Sequence, residues 1–310
     1  MLTLGMMRLL FKTSVKLRSI KGICIVSKGY ITIAINSRNE DYIRAAYALA
    51  LSLKATQKKV NALTVVVEDR NAVDERYRQA FDKVVVLPSK NLAVNSTWKV
   101  ENYYQLYDAS PYDETVTVDA DTLFVSDISD WWDEMGKYDI DITSKIYNYK
   151  NEIIKENCFR KDFYKVGLPD IHNGFLYFKK GRLAHTLFKQ IEKYAVEWKT
   201  ITKRIYGSEN IHYSSDNALN IAVQELGIIS ECIHSDVIPT FVHMKTLLQG
   251  WENAEDKDWR KYINYEFDEN MGLKIGGYTI KIPFHYHIRE FISDELLEKY
   301  ECFLEKSQCL

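Results

Sequence analysis

The chain has 310 residues, 46% of them hydrophobic, enough to bury one large core or two modest ones. A net charge of −2 and a pI near 6.4 argue against the strongly basic surface of a nucleic-acid binder. The five cysteines (Cys24, Cys158, Cys232, Cys302 and Cys309) are scattered without CxxC spacing, which argues against a zinc site or disulfide framework and for a reducing compartment, the cytoplasm.

No run approaches the roughly 18 apolar residues of a membrane helix, so no integral membrane segment is expected. Residues 1–39 hold no acid, and Arg8, Lys12 and Lys16 recur at four-residue spacing beside Leu9, Leu10, Val15 and Leu17. Residues 1–28 read as a leader outside the fold, with Met6 and Met7 as alternative starts. An amphipathic membrane-surface segment is the alternative.

Tyr30–Ile35 alternates and is rich in β-branched residues, so it reads as a first strand. From Asp41 the period changes: Ile43, Ala46, Tyr47, Ala50 and Leu53 share one face of a helix that fades near Lys58. Leu63–Val67 is a continuous apolar run, as expected of a strand buried on both faces. A charged helix over 73–81, a strand over Lys83–Leu87, a helix over 97–108 and a strand over Thr115–Val118 follow. Strands alternating with helices predict a parallel sheet with crossovers, whose ligands bind at the carboxyl ends of the strands.

The second half is less regular. Residues 145–170 read as a long excursion over the surface, and Phe175–Phe178 as a strand. Leu183, Leu187, Phe188, Ile191, Tyr194 and Trp198 mark a long amphipathic helix. Ser214 or Ser215 caps a further helix that Gly227 stops. Short strands and a last helix over 292–305 complete one compact domain.

Four constellations carry chemistry. Asp119 and Asp121, one residue apart at a strand end, can share a hard divalent cation and leave room for diphosphate oxygens. The spacing alone is weak, because Asp139-Ile140-Asp141 repeats it in what reads as the exposed face of a strand. His243 follows the extended run Val237–Val242, and an imidazole beside two carboxylates suits Mn²⁺. His285 and His287, on one face of a strand, compete with it, and the residues alone leave that choice open. Asp216 and Asn217 open a helix, where a carboxylate either favours the helix dipole or contacts a sugar. Asn173-Gly174, before a strand, is either a simple turn or a close approach to ligand with an amide for hydroxyls. Lys99 precedes the acidic strand and is a candidate phosphate neutraliser.

Taken in order, these segments resemble family 8 of the retaining glycosyltransferases, which includes glycogenin and bacterial lipopolysaccharide galactosyltransferases. The match runs from Ile31 to Trp251. Val118-Asp-Ala-Asp-Thr-Leu-Phe124 is similar to the family's Asp-Ala-Asp strand end, and Ile128-Ser-Asp-Trp131 follows where the family has an Ile-x-x-Leu/Phe segment. Asn173-Gly174 is similar to its Asn-(Ala/Ser)-Gly motif with one residue missing. Ser215-Asp-Asn-Ala-Leu-Asn220 resembles its Asp-Gln-x-x-Leu-Asn segment, with Asn217 in place of Gln. His243 to Trp251 has the spacing of His-Phe-x-Gly-x-x-Lys-Pro-Trp, with Gln249-Gly250 in place of Lys-Pro, Thr246 in place of Gly, and Lys245 as a substitute phosphate ligand.

The resemblance implies a GT-A fold, a mixed α/β sheet flanked by helices. A Rossmann-like nucleotide-binding half would cover about 29–135 and an acceptor half 136–310. It implies Mn²⁺ or Mg²⁺ on Asp119, Asp121 and His243. Ala34, Asn36, Tyr42 and Ala120 would sit at the nucleotide, and Lys99 or Lys245 at the diphosphate. Asp216, Asn217 and Asn173 would lie at the reacting sugar. The expected activity is retaining transfer of a hexose from a nucleotide sugar, UDP-linked, to a carbohydrate, protein, lipid or modified-base acceptor. A non-catalytic binder of nucleotide sugar or glycan is the alternative. A sugar nucleotidyltransferase fits less well, since Asn36–Glu40 is not Gly-rich.

Overall fold

Alternation of side chains along the central strands divides the molecule into two cores. The computed structural model describes residues 26–155, 157–235, 237–251 and 259–308. The leader expected over 1–28 falls outside the described residues as far as Ile25, and Lys28 already belongs to the first strand. The strands are β1 (Lys28–Ile33), β2 (Leu63–Val67), β3 (Lys83–Val86), β4 (Glu114–Val118), β5 (Thr122–Leu123) and β6 (Ile140–Thr143). After them come β7 (His172–Lys179), β8 (Val242–Met244), β9 (Tyr265–Phe267), β10 (Leu273–Ile275), β11 (Tyr278–Thr279) and β12 (Phe284–Tyr286).

Six strands form the main sheet in the order β3-β2-β1-β4-β7-β6. The pairings from β3 to β4 are parallel, whereas β7 runs antiparallel to both β4 and β6. The sheet is therefore mixed, with helices on its faces, as the fold class anticipated. Tyr30, Val116, Val118, Phe175 and Tyr177 point into one core; Ile31, Leu176 and Phe178 point into the other. Helix Tyr42–Thr56 fills the first core and packs on the C-terminal helix Asp294–Gln308. Helices Arg182–Tyr206 and Ser215–Leu226 cover the second. Two small sheets, β5-β12-β8 and β9-β10-β11, complete the described chain.

Several elements differ from their sequence patterns for local reasons. The helix expected over 73–81 is reduced to Glu75–Arg78, preceded by a 3₁₀ turn at Arg70–Ala72. Asp69 and Asp74 each accept a nearby backbone N–H, so two caps divide what one helix would have joined. The helix over 97–108 becomes a 3₁₀ stretch, Val100–Gln105, and one α turn, Leu106–Ala109. Lys99 holds a left-handed backbone (φ 59°), which bars a helix from starting earlier. Asp141 is not on an exposed face: all of β6 is buried, Asp141 is 1% exposed, and burial pushes its carboxyl up to about 7. The chain near Cys232 covers that edge, the Ile142 N–H donating to the Cys232 carbonyl at 2.9 Å.

The tract 145–170 is more deeply anchored than a surface excursion. Ile146, Asn148, Ile154 and Phe163 are buried, and Tyr147 bridges to Val242. Arg160 is its anchor, 3% exposed. Its guanidinium donates to the Asp170 carboxylate at 2.5 Å, the Ile171 carbonyl at 2.9 Å and the Asp216 carboxylate at 2.6 Å. Burial works to raise the Asp216 carboxyl, but Arg160, then His172 and the Asn173 N–H, outweigh it and hold its pKa below the usual value.

Arg160→Met should cost about 2 kcal/mol in urea unfolding near neutral pH, the scale of lost hydrogen bonds to charged groups. A carboxyl depressed in the folded state stabilises above its unfolded pKa of about 3.9, and that contribution disappears as pH falls through the folded value. The stability gap between wild type and variant should therefore be full above about pH 4 and narrow below it. A gap that is constant down to acid denaturation would show that the charge pairing contributes nothing.

Candidate active site

Strand order reverses between β1 and β4, since β2 and β3 lie on one side of β1 and β4 on the other. Open α/β sheets leave a crevice at such a point, beyond the carboxyl ends of the strands. A cleft of about 260 Å³ opens there, and the residues after β4, Asp119-Ala120-Asp121, form its floor. The Asp119 N–H donates to the Gly174 carbonyl at 3.3 Å, extending the β4–β7 ladder. The Tyr103 hydroxyl bridges the Asp119 carboxylate at 3.3 Å and the Asn173 carbonyl at 3.1 Å. Gly174 permits this approach: a β-carbon there would lie 3.0 Å from the Phe241 ring and 3.2 Å from the Asp119 carboxylate.

Beyond Asp121 the chain enters β5, which pairs antiparallel with β12, and β12 pairs parallel with β8. This small sheet sets His285 opposite both Thr122 and His243. His285 Nε2 lies 3.2 Å from Asp121 Oδ1 and 3.8 Å from Asp119 Oδ2. One ligand atom from each of the three residues lies within 4.8 Å of the others. The Arg289 guanidinium, four residues further on, donates to the other Asp121 oxygen and to Glu40 (2.7 Å), and sits 5.1 Å from the Tyr42 ring centre.

These charges separate the two aspartates. Partial burial, its side chain still 31% exposed, pushes Asp119 up to about 6, against the pull of His285 and with the push of Asp121 and Asp216. Asp121 is buried too, but His285 and Arg289 overcome that cost and hold its carboxyl well below the usual range. Burial disfavours a charged His285, yet Asp121 and Asp119 raise its pKa above the ordinary imidazole value. Burial, with His285 and Lys245, holds His243 well below that value.

The structure brings some of the residues singled out from sequence to this cleft and places others elsewhere. Tyr42, Lys99, Asp119, Ala120, Asp121 and Lys245 line it. Lys99 has its ammonium committed to the carbonyls of Ala93 (2.9 Å) and Val94 (3.0 Å). Ala34 is fully buried, its N–H continuing the β1–β2 ladder at Val66. The Asn36 side chain accepts the Ile43 N–H at 2.9 Å and so serves the start of helix Tyr42–Thr56. Asp216 and Asn173 meet each other, the Asn173 N–H donating to Asp216 at 2.7 Å. Asn217 is 3% exposed and accepts the Tyr206 hydroxyl at 2.5 Å, beneath the helix and away from the cleft lining.

His243 is the main difference. It lies within β8, not after it, and its ring stacks on His285 with centres 4.6 Å apart and planes 4° apart. Neither of its ring nitrogens has a hydrogen-bond partner among the described residues. The imidazole that joins the two carboxylates is that of His285. Sequence reasoning also missed Arg289, Glu40 and Arg160. Only Arg289 left a signal, as a cation soon after the His285-Tyr-His287 pair. Gln249, which replaces the resemblance's lysine, accepts the Lys155 N–H at 3.2 Å and faces a different cleft.

No family model matches this sequence, and no curated protein matches it. Among solved structures, the chain is similar to mouse xyloside xylosyltransferase 1 in its apo form. That likeness has 12% identity and a TM-score of 0.48, over 84% of this chain and 98% of that one. It is also similar to the galactosyltransferase LgtC in complex with donor and acceptor sugar analogues, at 11% identity and a TM-score of 0.46, over 91% and 96%. The glycosyltransferase GlyE of Streptococcus pneumoniae TIGR4 gives 11% identity and a TM-score of 0.46, over 90% of this chain and 63% of that one. Likeness of this degree assigns neither a reaction nor a ligand to this chain.

Proposed function

We propose that this chain is a metal-dependent GT-A glycosyltransferase that transfers a hexose from a UDP-linked sugar to an acceptor hydroxyl, with retention. The observation that carries the proposal is the convergence of Asp119, Asp121 and His285 on one point at the strand-order reversal. The resemblance to family 8 supports the retaining outcome and the nucleotide-sugar donor.

The donor set fits a divalent ion. With metal–ligand bonds of about 2.1 Å, ligands of an octahedral ion stand roughly 3 Å apart in cis and 4 Å in trans. His285 stands 3.2 and 3.8 Å from the two carboxylates, inside that range, and two carboxylates with an imidazole suit Mn²⁺ better than Mg²⁺, which prefers oxygen ligands. A bound ion would supply positive charge against the departing diphosphate.

The chain's own residues do the rest. Arg289, held in place by Glu40 and Asp121 over Tyr42, is a permanent cation at the cleft wall. It takes the role for which Lys99 is unsuited, because the Lys99 ammonium serves two carbonyls of its own loop. Lys245 adds a second cation near the same point. Tyr42, with Thr32 and Ile33 at the end of β1, offers a flat wall for a nucleobase. Asp216, held ionised by Arg160 and aligned by the Asn173 N–H, presents a fixed acceptor for sugar hydroxyls. Charges fixed in advance around a developing negative charge are the largest single source of rate enhancement in such sites.

Two measurements test this reading. Electron paramagnetic resonance of Mn²⁺ titrated into the protein should show one tight site, weakened at least about tenfold in His285→Ala, on the scale of a disturbed metal environment. His243→Phe, which keeps the ring stack, should change Mn²⁺ binding far less. The opposite ranking would make His243 the ligand. In a screen of nucleotide sugars, one donor should be hydrolysed with Mn²⁺ stimulation, and Asp121→Ala should lower that rate about 100-fold, on the scale of deleting one electrostatic stabiliser. Tight binding of a donor with no turnover would replace the transferase with a binding protein.

A further inference from the structure

A second cleft, of about 890 Å³, opens beside the first. It lies between the tract around residue 160 and the loop after β8, and it is lined by Lys155, Lys161, Asn157, Gln249, Tyr164 and Leu247. None of the described residues lining it is acidic. Among the described residues the nearby acids are already engaged: Asp162 pairs with Lys165 at 2.8 Å, and Asp170 takes Arg160 and the Tyr164 hydroxyl. Lys155 and Lys161 have no carboxylate partner among the described residues, so two cations face an opening to which those residues bring no counter-charge.

The walls are fixed by the fold. Arg160, 3% exposed, pins one side to Asp170 and Asp216. The Asn157 side chain caps the turn that follows it, accepting the Phe159 N–H at 3.0 Å. The Lys155 N–H donates to Gln249 and joins the two sides. Phe159 and Tyr164 are 49% and 44% exposed, large aromatic faces of the kind on which sugar rings stack. The Lys245 ammonium lies 3.7 Å from the centre of the Phe159 ring, and Lys245 also lines the first cleft.

We infer that this second cleft holds the acceptor, and that the acceptor is a saccharide carrying a negative group, a carboxylate or a phosphate ester. The inference rests on the glycosyltransferase reading of the first cleft. A chain of sugar rings lying over Phe159 and Tyr164 places its charged group against Lys155 and Lys161 and directs its other end past Lys245 towards Asp216. Asn157 and Gln249 supply amides for hydroxyls along the way.

The test is calorimetric titration of the full chain, with Mn²⁺ and UDP present, using three probes of equal length: maltotriose, trigalacturonate and a maltotriose monophosphate. Exposed ion pairs contribute a few-fold each, so the preferred anionic probe should bind about tenfold tighter than maltotriose. The preference should shrink with added salt. Lys155→Glu with Lys161→Glu should remove the preference and leave maltotriose, Mn²⁺ and UDP binding unchanged. If that variant melts early, Lys155→Ala with Lys161→Ala carries the same test.

Whichever anionic probe is preferred distinguishes carboxylate from phosphate. Equal binding of all three probes overturns the inference, as does a preference that survives the substitutions. Free inorganic phosphate binding as tightly as the maltotriose phosphate would reduce the cleft to a simple anion site and overturn it too. Donor hydrolysis on the same samples keeps the two readings apart. Anionic preference without hydrolysis sinks the transferase and with it the acceptor role, whereas hydrolysis without preference sinks the acceptor class alone.

Discussion

Two carboxylates with oxygens inside 4.8 Å of each other, Asp121 buried and Asp119 half-buried, repel strongly unless cations are set against them. At an effective dielectric near 20, like charges at that distance cost about 3–4 kcal/mol, on top of the cost of burial itself. Asp119 and Asp121 meet this constraint unequally. His285 and Arg289 keep Asp121 ionised, while Asp119, with less compensation, rises to about 6. Both compensating groups come from the end of β12, from a part of the chain some 165 residues away, as the Arg289 contact with Asp121 shows. The small sheet β5-β12-β8 is therefore more than an accessory. It is the means by which the acidic strand end acquires its counter-charges.

The same constraint explains the packing on the other side. Asp119 lies on the boundary between β4 and β7, where its N–H reaches Gly174 and its carboxylate reaches the Tyr103 hydroxyl. Any side chain at residue 174 would crowd both Phe241 and that carboxylate. The next residue back, Asn173, donates its N–H to Asp216, and Asp216 is in turn held by Arg160. Asp119 and Asp121 line the cleft, and Asp216 lies near enough to raise the Asp119 pKa, each acid with its own cation or donor.

Much of the fold was legible because its signals are local. The Leu63–Val67 strand, the helix after Asp41 and the helix from Ser214 to Gly227 carry their own caps and periodicity. The acidic strand end was legible for the same reason. What could not be read depended on pairing between distant segments. Sequence placed His243 with the aspartates, but the register of β12 between β5 and β8 decides which imidazole faces them, and that register is set across more than 150 residues, His285 with Thr122. Asp141 shows the same limit. The alternation at Tyr138–Ile142 carries the period of a strand, yet nothing local to it indicates that the chain near Cys232 covers that strand. Lys99 was legible as a cation but not as one spent on its own loop, because that depends on a left-handed backbone.

Charge is segregated between the two clefts, and this bears on how a reaction could be organised. The first gathers carboxylates, which favours a metal and a donor bound through it. Among the described residues the second presents lysines without acids, which repels a metal and attracts an anion. Lys245 stands between them against Phe159, and burial lowers its pKa from the usual lysine value. A cation at that point belongs to both spaces. It adds positive charge at the edge of the first cleft, and it repels a metal ion from the second. Anions bound in the two clefts would repel each other, and a half-buried lysine on an aromatic face is placed to screen one from the other.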